Sequence, residues 1–402
     1  MRLNQYFSAL ILVLILFSGC SGNENDSLPE TETPTNPTSE EPTPPTPPNT
    51  LTTEERLQKI IDDKVGDDTD KLVGVSVSIR VGTEERWKLV GGISKLGEPV
   101  TSDMRFGLAS ITKTAVAATV MKLVDEGVLS LEDTIDDWVA INSPNVDQSI
   151  TIFQLLSHFT GVNGYFTEAL WTQVEGDLNT ALEPIEVTDY ILEPTNVPGV
   201  THEYSNSNYL ILGLIIEAAT QKTVGEVMRE KFWIPLALNS TYFGANESID
   251  GPIATPWRDN DGDGTLEDIA DEFGAGYHSI FYCAADVFST ASDLSMWAQH
   301  LYNGDAISLD SRQKMMTSYF DIPDPVFTGY GLGVRRNVYA GRIMWGHTGG
   351  MRGYGTAMFF EPLTQVSIAM LNNQSRSADG PLLRYELVEE LLAVVYEDLL
   401  GQ

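Results

Sequence analysis

The chain has 402 residues and is strongly acidic, with 24 Lys and Arg against 57 Asp and Glu and a formal net charge of −33. Hydrophobic residues make up 42% of it, which is enough for a large packed core and excludes a wholly disordered chain. The negative charge argues against a nucleic-acid partner, and the only two cysteines, Cys20 and Cys283, exclude a disulfide framework.

The first twenty residues are predicted to be a lipoprotein signal peptide. Arg2 supplies a positive charge, and residues 9–17 form an apolar run that is too short to span a bilayer. Cys20 follows Phe-Ser-Gly, which resembles a bacterial lipobox, where the cysteine thiol is acylated and becomes the mature N-terminus. Cys20 is therefore predicted to anchor the protein to a membrane of the cell envelope, on the periplasmic side or at the surface. The alternative is an ordinary secretory signal in which Cys20 has no role.

Residues 21–50 are predicted to be a linker. Proline alternates there with Thr, Glu and Asn, and few apolar side chains are present to offset the entropy of ordering. Such a segment is extended, at about 3.1 Å per residue, and would hold a folded domain several nanometres from a membrane.

The folded domain is predicted to span residues 51–402, with a sheet assembled from both of its ends. Thr52 or Thr53 caps a predicted helix at the beginning. Alternating apolar residues predict strands at 73–81, 86–90, 330–335, 342–345, 354–360 and 366–371, followed by a helix over 382–400. This order predicts an α+β fold, in which residues 51–128 and 328–402 form an antiparallel sheet flanked by the N- and C-terminal helices.

Residues 129–327 are predicted to form a mostly helical lobe inserted into the sheet domain. Residues 151–158 are predicted to be one short helix, and residues 209–219 a strongly apolar, buried one. A pocket is expected between the two lobes.

Ser110 and Lys113 form a Ser-x-x-Lys pattern at the start of a helix that is predicted to end at Gly127. Residues three apart share a helix face, and the dipole at a helix N-terminus favours a developing alkoxide. A lysine that is partly desolvated there can lose its proton and activate the hydroxyl. The pattern alone is weak evidence, because residues 311–314 match it in a polar context.

Two further motifs carry chemistry. Tyr204 and Asn206 belong to a Tyr-Ser-Asn triplet before the apolar helix. A tyrosine beside a lysine ammonium can have its pKa lowered and shuttle protons, and the Asn206 amide can hold both Lys113 and a substrate amide. His347 begins a His-Thr-Gly-Gly run at the end of a predicted strand, where a free strand edge can pair with a peptide-like substrate.

With these three motifs in this order, residues 51–402 resemble the serine β-lactamase and D-alanyl-D-alanine peptidase superfamily, nearest its class C and carboxypeptidase branch. The resemblance implies that Ser110 is the acylated nucleophile and Lys113 its proton partner, with no cofactor required. It implies that Tyr204 is the general base for attack and the acid for the leaving group. The implied roles of the remaining residues are positioning by Asn206, substrate-strand contacts from His347, Thr348 and Gly349, and an oxyanion hole from the N–H groups of Ser110 and Gly350.

Two departures from the family pattern bear on the substrate. His347 replaces the lysine common in β-lactamases, which disfavours antibiotic hydrolysis as the main activity. Gly350 stands where carboxypeptidases often carry a hydroxyl that helps bind a terminal carboxylate, and Arg352 is the candidate to replace that contact. The expected reaction is hydrolysis of D-Ala-D-Ala-type peptides, with peptidoglycan as a candidate partner, or of small esters and amides. The alternatives are an esterase, a weak β-lactamase, a penicillin-binding or cell-wall-sensing module without turnover, and a solute-binding lipoprotein.

An acidic segment resembles the start of a calcium-binding loop. Asp259, Asp261 and Asp263 occupy loop positions 1, 3 and 5, and Thr265 follows at position 7. Position 12 is Ala270, where a bidentate acid should stand, so a structural Ca²⁺ and a solvated acidic turn both remain open. The remaining histidines are predicted to be surface or core residues rather than ligands: His158, His202, His278 and His300.

Overall fold

A nine-stranded antiparallel sheet forms the centre of the fold in a computed structural model of the protein. The structure describes residues 51–66, 71–317, 319–375 and 380–401, and for residues 380–382 it describes the backbone alone. The predicted signal peptide, Cys20 and the predicted linker lie outside the described residues. Among the residues that are described, no helix is long and apolar enough to cross a lipid bilayer.

The sheet is assembled from both ends of the domain, as predicted. The strands are β1 (Gly74–Val81), β2 (Glu84–Lys95), β3 (Glu98–Pro99), β4 (Phe106–Gly107), β5 (Tyr242–Phe243), β6 (Trp257–Arg258), β7 (Glu267–Asp268), β8 (Val287–Ser289), β9 (Phe320–Asp321), β10 (Phe327–Tyr330), β11 (Arg335–Tyr339), β12 (Arg342–Met351), β13 (Tyr354–Glu361), β14 (Val366–Asn372) and β15 (Gln374–Ser375). The order in the large sheet is β3-β2-β1-β14-β13-β12-β11-β10-β9. The first long strand therefore pairs with the last one, with Val75 opposite Asn372 and Val81 opposite Val366.

Helices cover both faces of this sheet. They are α1 (Thr53–Lys64), α2 (Thr112–Asp125), α3 (Ile135–Trp138), α4 (Ile152–Ser157), α5 (Glu168–Gly176), α6 (Pro184–Val187), α7 (Asn206–Thr220), α8 (Val224–Met228), α9 (Ala275–Ala285), α10 (Ala291–Tyr302), α11 (Leu309–Met315) and α12 (Gly380–Leu400). The terminal helices α1 and α12 pack on one face, where Leu57 and Leu391 are fully buried against strand residues such as Val77. Helix α10 packs against β1, β13 and β14 on the other face.

The start of α1 follows from its first turn. The Thr52 hydroxyl accepts a hydrogen bond from Glu55 N at 3.2 Å, and a Glu55 carboxylate oxygen accepts one from Thr52 N at 2.7 Å. These reciprocal bonds form a capping box and satisfy two backbone donors that would otherwise lack partners. Thr52 is therefore the cap, which decides between the two threonines that the sequence offered.

The predicted strand over residues 330–335 is wrong, because a tight turn interrupts it. Strand β10 ends at Tyr330, β11 begins at Arg335, and Gly331 N donates to Val334 O at 2.8 Å to close the turn. Gly333 has a φ of +74°, a conformation that favours glycine, and a Cβ there would lie 2.4 Å from the Ala117 side chain. The alternation of apolar residues continues through the turn in the sequence, which hid it.

The helical lobe contains α3 to α9 and α11, and two small three-stranded sheets, β4-β8-β5 and β15-β6-β7, link it to the strands β4 and β15 from outside residues 129–327. Its centre is α7, which begins three residues earlier than predicted and is buried on nearly all sides from Ser207 to Ile216. Helix α7 packs against α2 and α9. Because Lys113 lies on α2, Asn206 begins α7 and Ala284 lies at the end of α9, this packing brings the three residues together.

Candidate active site

A cavity of about 300 Å³ opens beside Ser110, between the large sheet and the helical lobe. It brings together residues from all three predicted motifs except Lys113 and Asn206, which lie directly behind it. Its lining residues are Ser110, His202, Tyr204, Phe327, Tyr330, Arg335, His347, Thr348, Gly349, Gly350, Arg384 and Tyr385. A larger cavity of about 610 Å³ lies around His278 and Tyr282 and includes none of the motif residues.

Ser110 is presented by a short turn rather than by the first turn of α2 itself. Residues Ala109–Ile111 form a 3-10 turn, and Ala109 has a φ of +50°, which is uncommon for a residue with a side chain. Strand β12 packs directly onto this turn. A Cβ at Gly349 would lie 2.2 Å from Leu108 O, so only glycine permits this approach. The close contact holds Ser110 beside the end of β12.

Lys113 is fully buried and contacts three oxygen atoms. Its Nζ lies 2.8 Å from Asn206 Oδ1, 2.7 Å from Ala284 O and 3.2 Å from Ser110 Oγ. Burial lowers the pKa of Lys113 well below its ordinary value. A neutral amine has two N–H groups and one lone pair. Because two of the three partners are carbonyl oxygens that only accept, the lone pair is left for the Ser110 hydroxyl.

Tyr204 lies at the mouth of the cavity, with its ring centre 5.0 Å from Lys113 Nζ. The residue is 41% exposed, yet desolvation of its hydroxyl raises the pKa of Tyr204 above the ordinary value. A hydrogen bond with Ser110 and the charge of Arg335 lower that pKa only in part. The predicted lowering by a lysine ammonium is therefore wrong, because desolvation of the hydroxyl is the largest influence on the pKa of Tyr204 and raises it.

Asn206 is held by the start of α7. The Ser205 hydroxyl caps this helix by accepting from Ser207 N at 3.2 Å. The cap places Tyr204 in the extended segment before the helix and Asn206 in its first turn, so that one side chain reaches the cavity and the other reaches Lys113. The Asn206 carbonyl oxygen accepts from Lys113, which matches the positioning role that the resemblance implies.

Strand β12 offers the free edge that the sequence predicts. Strand β13 pairs with it up to Met351, whereas β11 pairs with it only from Arg342 to Gly346. The β11 side of residues 347–351 has no strand partner among the described residues. Thr348, Gly349 and Gly350 line the cavity along this stretch.

His347 is 2% exposed, and its Nδ1 lies 2.6 Å from Thr348 O. Burial, followed by the positive charge of Arg335, lowers the pKa of His347 well below its ordinary value, so the imidazole is neutral. The charge that a lysine would bring to this position is absent.

The prediction that Arg352 helps to bind a substrate carboxylate needs correction. Strand β12 ends at Met351 and β13 begins at Tyr354, so Arg352 stands at the tip of the hairpin, and the cavity is lined by Arg335 and Arg384 instead. The Arg352 guanidinium is held by two carboxylates, at 3.1 Å from Glu175 and 3.4 Å from Glu272.

Six of the lining residues were not predicted to belong to the site: His202, Phe327, Tyr330, Arg335, Arg384 and Tyr385. His202 stacks on Phe320 with ring centres 4.3 Å apart, and burial lowers its pKa to about 4. Arg335 could have been predicted from the sequence, because a hairpin turn at residues 340–341 places Arg335 opposite Gly346, next to His347. Arg384 comes from the C-terminal helix, and no local sequence signal connects it to the cavity.

The acidic segment lies away from this cavity, in the turn between β6 and β7. Carboxylate oxygens of Asp259, Asp261 and Asp263 lie within 4.8 Å of one another, a spacing that suits the oxygen ligands of a hard cation. Thr265 N donates to Asp263 Oδ1 at 2.7 Å. Ala270 belongs to a short 3-10 turn and supplies no carboxylate, so Ca²⁺ binding stays a prediction.

Comparison with protein-family models gives one match, described as Beta-lactamase, over residues 57–393. Among curated proteins, the chain is similar to Unguisins hydrolase ungD' of Aspergillus campestris, with 25% identity over 81% of this chain and 65% of that protein. It is similar to Penicillin-binding protein 4* of Bacillus subtilis, with 26% identity over 73% of this chain and 66% of the relative. It is also similar to a Putative D-alanyl-D-alanine carboxypeptidase of Escherichia coli O157:H7, with 27% identity over 72% and 74%. The chain thus spans slightly less than two thirds of the length of the first two relatives.

Among solved structures, the fold is similar to that of D-amino acid amidase from Ochrobactrum anthropi SV3. The two share a TM-score of 0.76 and 22% identity, over 86% of this chain and 99% of the other. This likeness establishes the α+β architecture that the sequence predicts.

Proposed function

The chain belongs to the beta-lactamase family of serine hydrolases, and from this premise we propose that it hydrolyses D-Ala-D-Ala-type peptides or small esters and amides through an acyl-Ser110 intermediate. Lys113 and Tyr204 move the protons in this proposal, Asn206 positions Lys113, and strand β12 holds the substrate.

The observation that carries the proposal is the set of contacts around Lys113 Nζ. Two carbonyl acceptors take both N–H groups of a neutral amine, and Ser110 Oγ lies at the remaining position, 3.2 Å away. A general base within hydrogen-bond reach of a hydroxyl is the arrangement that activates a serine nucleophile. A lysine without a chemical role is usually found at the surface, where its charge is solvated, whereas Lys113 is fully buried.

Acylation then proceeds with balanced proton transfers. Ser110 Oγ attacks the carbonyl carbon of the substrate while Lys113 takes the hydroxyl proton. Backbone N–H groups of Ser110 and Gly350 stabilise the oxyanion, each typically by about 3 kcal/mol. The bond to the leaving amine or alkoxide breaks as Tyr204 donates its proton to that group. The raised pKa of Tyr204 keeps its hydroxyl protonated and able to donate, and the lowered pKa of Lys113 supports the base role that we propose for it in the attack.

Hydrolysis of the acyl-enzyme is the reverse sequence with water in place of the leaving group. After acylation Lys113 is an ammonium and Tyr204 a phenolate, and each favours the charge of the other. Water gives a proton to Tyr204 and attacks the ester carbon, and Lys113 returns its proton to Ser110 Oγ as the ester bond breaks. Both groups are then restored.

A peptide with a free terminal carboxylate suits this cavity. The free edge of β12 can pair with an extended substrate backbone. Arg335 Nε is buried and has no hydrogen-bond partner among the described residues, while an Nη atom of Arg335 donates to Thr348 Oγ1. A guanidinium placed in this way is a partner for a carboxylate. The names of two curated relatives, a penicillin-binding protein and a putative carboxypeptidase, agree with this substrate class.

A substrate panel tests the proposal. The purified domain is given a D-Ala-D-Ala peptide, a nitrophenyl ester and a cephalosporin, and kcat/KM is measured for each. The peptide is expected to have the highest value. A higher value for the ester or the cephalosporin would assign the esterase or the β-lactamase alternative instead. A burst of product without steady turnover would assign the sensing module.

We also propose that the protein is a lipoprotein of the cell envelope, tethered through Cys20 by residues 21–50. The support is the apolar run followed by Ser18, Gly19 and Cys20. Metabolic labelling with palmitate is expected to mark the wild-type protein and not the Cys20→Ala variant. Equal labelling of the two would contradict the anchor.

A further inference from the structure

Three buried side chains form a continuous hydrogen-bonded chain that runs from the wall of the Ser110 cavity into the core: His347 and Tyr330, which line the cavity, and His158. His158 Nε2 lies 3.2 Å from the Tyr330 hydroxyl oxygen, which lies 3.2 Å from His347 Nε2. The three residues are 0%, 1% and 2% exposed, respectively. Because these side chains are almost fully buried, water does not replace their hydrogen-bond partners, and each hydrogen atom has a definite position.

The direction of every bond follows from the two ends. At one end His347 Nδ1 faces the Thr348 carbonyl at 2.6 Å, and a carbonyl only accepts, so Nδ1 carries the hydrogen. At the other end Ser205 N donates to His158 Nδ1 at 3.2 Å, so that nitrogen carries the lone pair. With both rings neutral, Tyr330 accepts from His158 Nε2 and donates to His347 Nε2. The two ends lead independently to the same assignment.

The hydrogen-bonded chain of His158, Tyr330 and His347 connects the two lobes at the site. His158 ends α4, and its Nδ1 binds the backbone of Ser205, the residue between Tyr204 and Asn206. Its ring centre lies 4.4 Å from that of Tyr204. The other end holds the Thr348 carbonyl on β12. The chain therefore joins the segment that carries the proposed acid to the strand that is proposed to hold the substrate.

We propose that His158 and Tyr330 are positioning residues for the reaction, which hold His347 as the neutral tautomer with hydrogen on Nδ1 and set the distance between Tyr204 and β12. This inference rests on the function proposed for Ser110. Burial supports the neutral state by lowering the pKa of His158 and of His347.

The first test reads the tautomer directly in the wild-type protein. Nitrogen-15 NMR at neutral pH distinguishes protonated from unprotonated imidazole nitrogens, and the loss of signals in a His347→Asn variant assigns the His347 resonances. We expect Nδ1 protonated and Nε2 unprotonated for His347, and the reverse for His158. Protonation of His347 Nε2 would overturn the proposal. This measurement needs no turnover, so it remains decisive if the substrate assignment fails.

The second test removes one hydroxyl from the chain. Tyr330→Phe leaves His158 and His347 without their shared partner, and kcat is expected to fall about tenfold with little change in KM. The His347 nitrogen signals should shift as the tautomer becomes mixed. Tyr302→Phe is the matched control, because Tyr302 is equally buried and its hydroxyl has no hydrogen-bond partner among the described residues.

The outcomes distinguish a positioning role of Tyr330 in the reaction from a contribution to the stability of the fold alone. A lower melting temperature for Tyr330→Phe, with unchanged kcat per folded molecule and unchanged nitrogen signals, would overturn the proposal. Labelling of wild-type Ser110 by an active-site serine probe is recorded in the same experiment. Absence of that labelling would refute the proposed function while the tautomer measurement still decides on the chain.

Discussion

Two segments of this molecule carry the same Ser-x-x-Lys pattern in different surroundings. Ser110 lines the cavity and Lys113 lies behind it, fully buried and held by two carbonyl oxygens. Ser311 and Lys314 lie on α11, where the Lys314 side chain is 45% exposed and pairs with Asp310 at 2.8 Å. The hydroxyls differ as well, because Ser311 Oγ donates to a carboxylate oxygen of Asp125 at 2.6 Å rather than facing an amine.

The surroundings shift the pKa values of the two lysines in opposite directions. Burial lowers the pKa of Lys113 well below its ordinary value, whereas a hydrogen bond with Asp310 raises the pKa of Lys314. Burial therefore favours the neutral amine of Lys113, which can take a proton, whereas the hydrogen bond with Asp310 favours the ammonium of Lys314. The spacing of the pattern sets which side chains share a helix face, but burial and partners decide whether they can react.

The largest expected effect separates the two serines. Ser110→Ala should lower kcat by roughly 10,000-fold or more, because it removes the proposed nucleophile. Ser311→Ala should leave kcat within about twofold of wild type, at a cost of about 1 kcal/mol of stability from the lost hydrogen bond. Turnover and labelling by an active-site serine probe are measured for both variants. Labelling that persists in Ser110→Ala would contradict the assignment.

The pH dependence of activity sharpens the comparison of the lysines. Lys113 is depressed in pKa, so it should be a neutral base at pH 7, and kcat/KM should fall about tenfold per pH unit only below its shifted pKa. Between that pKa and the ordinary lysine value the unfolded chain binds more protons at this residue, so its contribution to stability increases with pH.

A pH series of kcat/KM on an ester substrate checks this expectation. A lysine with the ordinary pKa would instead give activity that rises with pH up to about 10.4. Such a profile, with little activity at neutral pH, would show that Lys113 is not the base. His158 and His347 also have lowered pKa values, so the acid limb is compared with that of a His347→Asn variant.

Two neighbouring arginines give a smaller, substrate-dependent contrast. Arg335 lines the cavity, whereas Arg336 pairs with Asp321 at 2.8 Å. Arg335→Ala should raise KM for a peptide with a free terminal carboxylate by about 10- to 100-fold, the worth of one charge-assisted hydrogen bond. The same peptide with an amidated terminus should be affected less than about threefold, and Arg336→Ala should affect neither. Equal effects of Arg335→Ala on both peptides would remove its proposed role.

Much of the fold could be predicted from local patterns. The strands β1, β13 and β14 and the apolar helix α7 lie within a few residues of the predicted positions, although the strands are buried on both faces and not only at their apolar positions. The turn at residues 331–334 was missed because Gly331 and Gly333 sit among apolar residues that continue the alternation. The need for glycine at position 333 comes from a tertiary contact with Ala117, which the local sequence does not reveal.

The nucleophile and its partners could be predicted because their motifs are short and ordered along the chain. The electrostatics could not, because the raised pKa of Tyr204 comes mainly from desolvation of its hydroxyl, which depends on how distant segments pack in the folded protein. The choice of Arg352 failed because closeness in sequence to Gly350 is not closeness to the cavity, and the hairpin turn carries Arg352 away. His158 is a buried, hydrogen-bonded core residue, as predicted, but its partners lie 47 and 172 residues further along the chain, so they could not be predicted from the sequence.

The acidic loop extends the comparison to a motif whose exposure resembles that of Lys314. Asp261 and Asp263 are exposed, and the three carboxylates of the loop lie close enough to share one cation. With a dissociation constant near 1 mM, as in extracellular calcium modules, about 10 mM Ca²⁺ should stabilise the domain by about 1.4 kcal/mol and raise its melting temperature by a few degrees. Activity should not change, because the loop lies outside the Ser110 cavity.

An Asp259→Asn, Asp261→Asn double variant should lose the shift in melting temperature. The control is Asp310→Asn, which replaces an exposed acid on α11 and should keep the shift. Calorimetric titration without heat, together with an unchanged melting temperature, would leave the loop as a solvated turn.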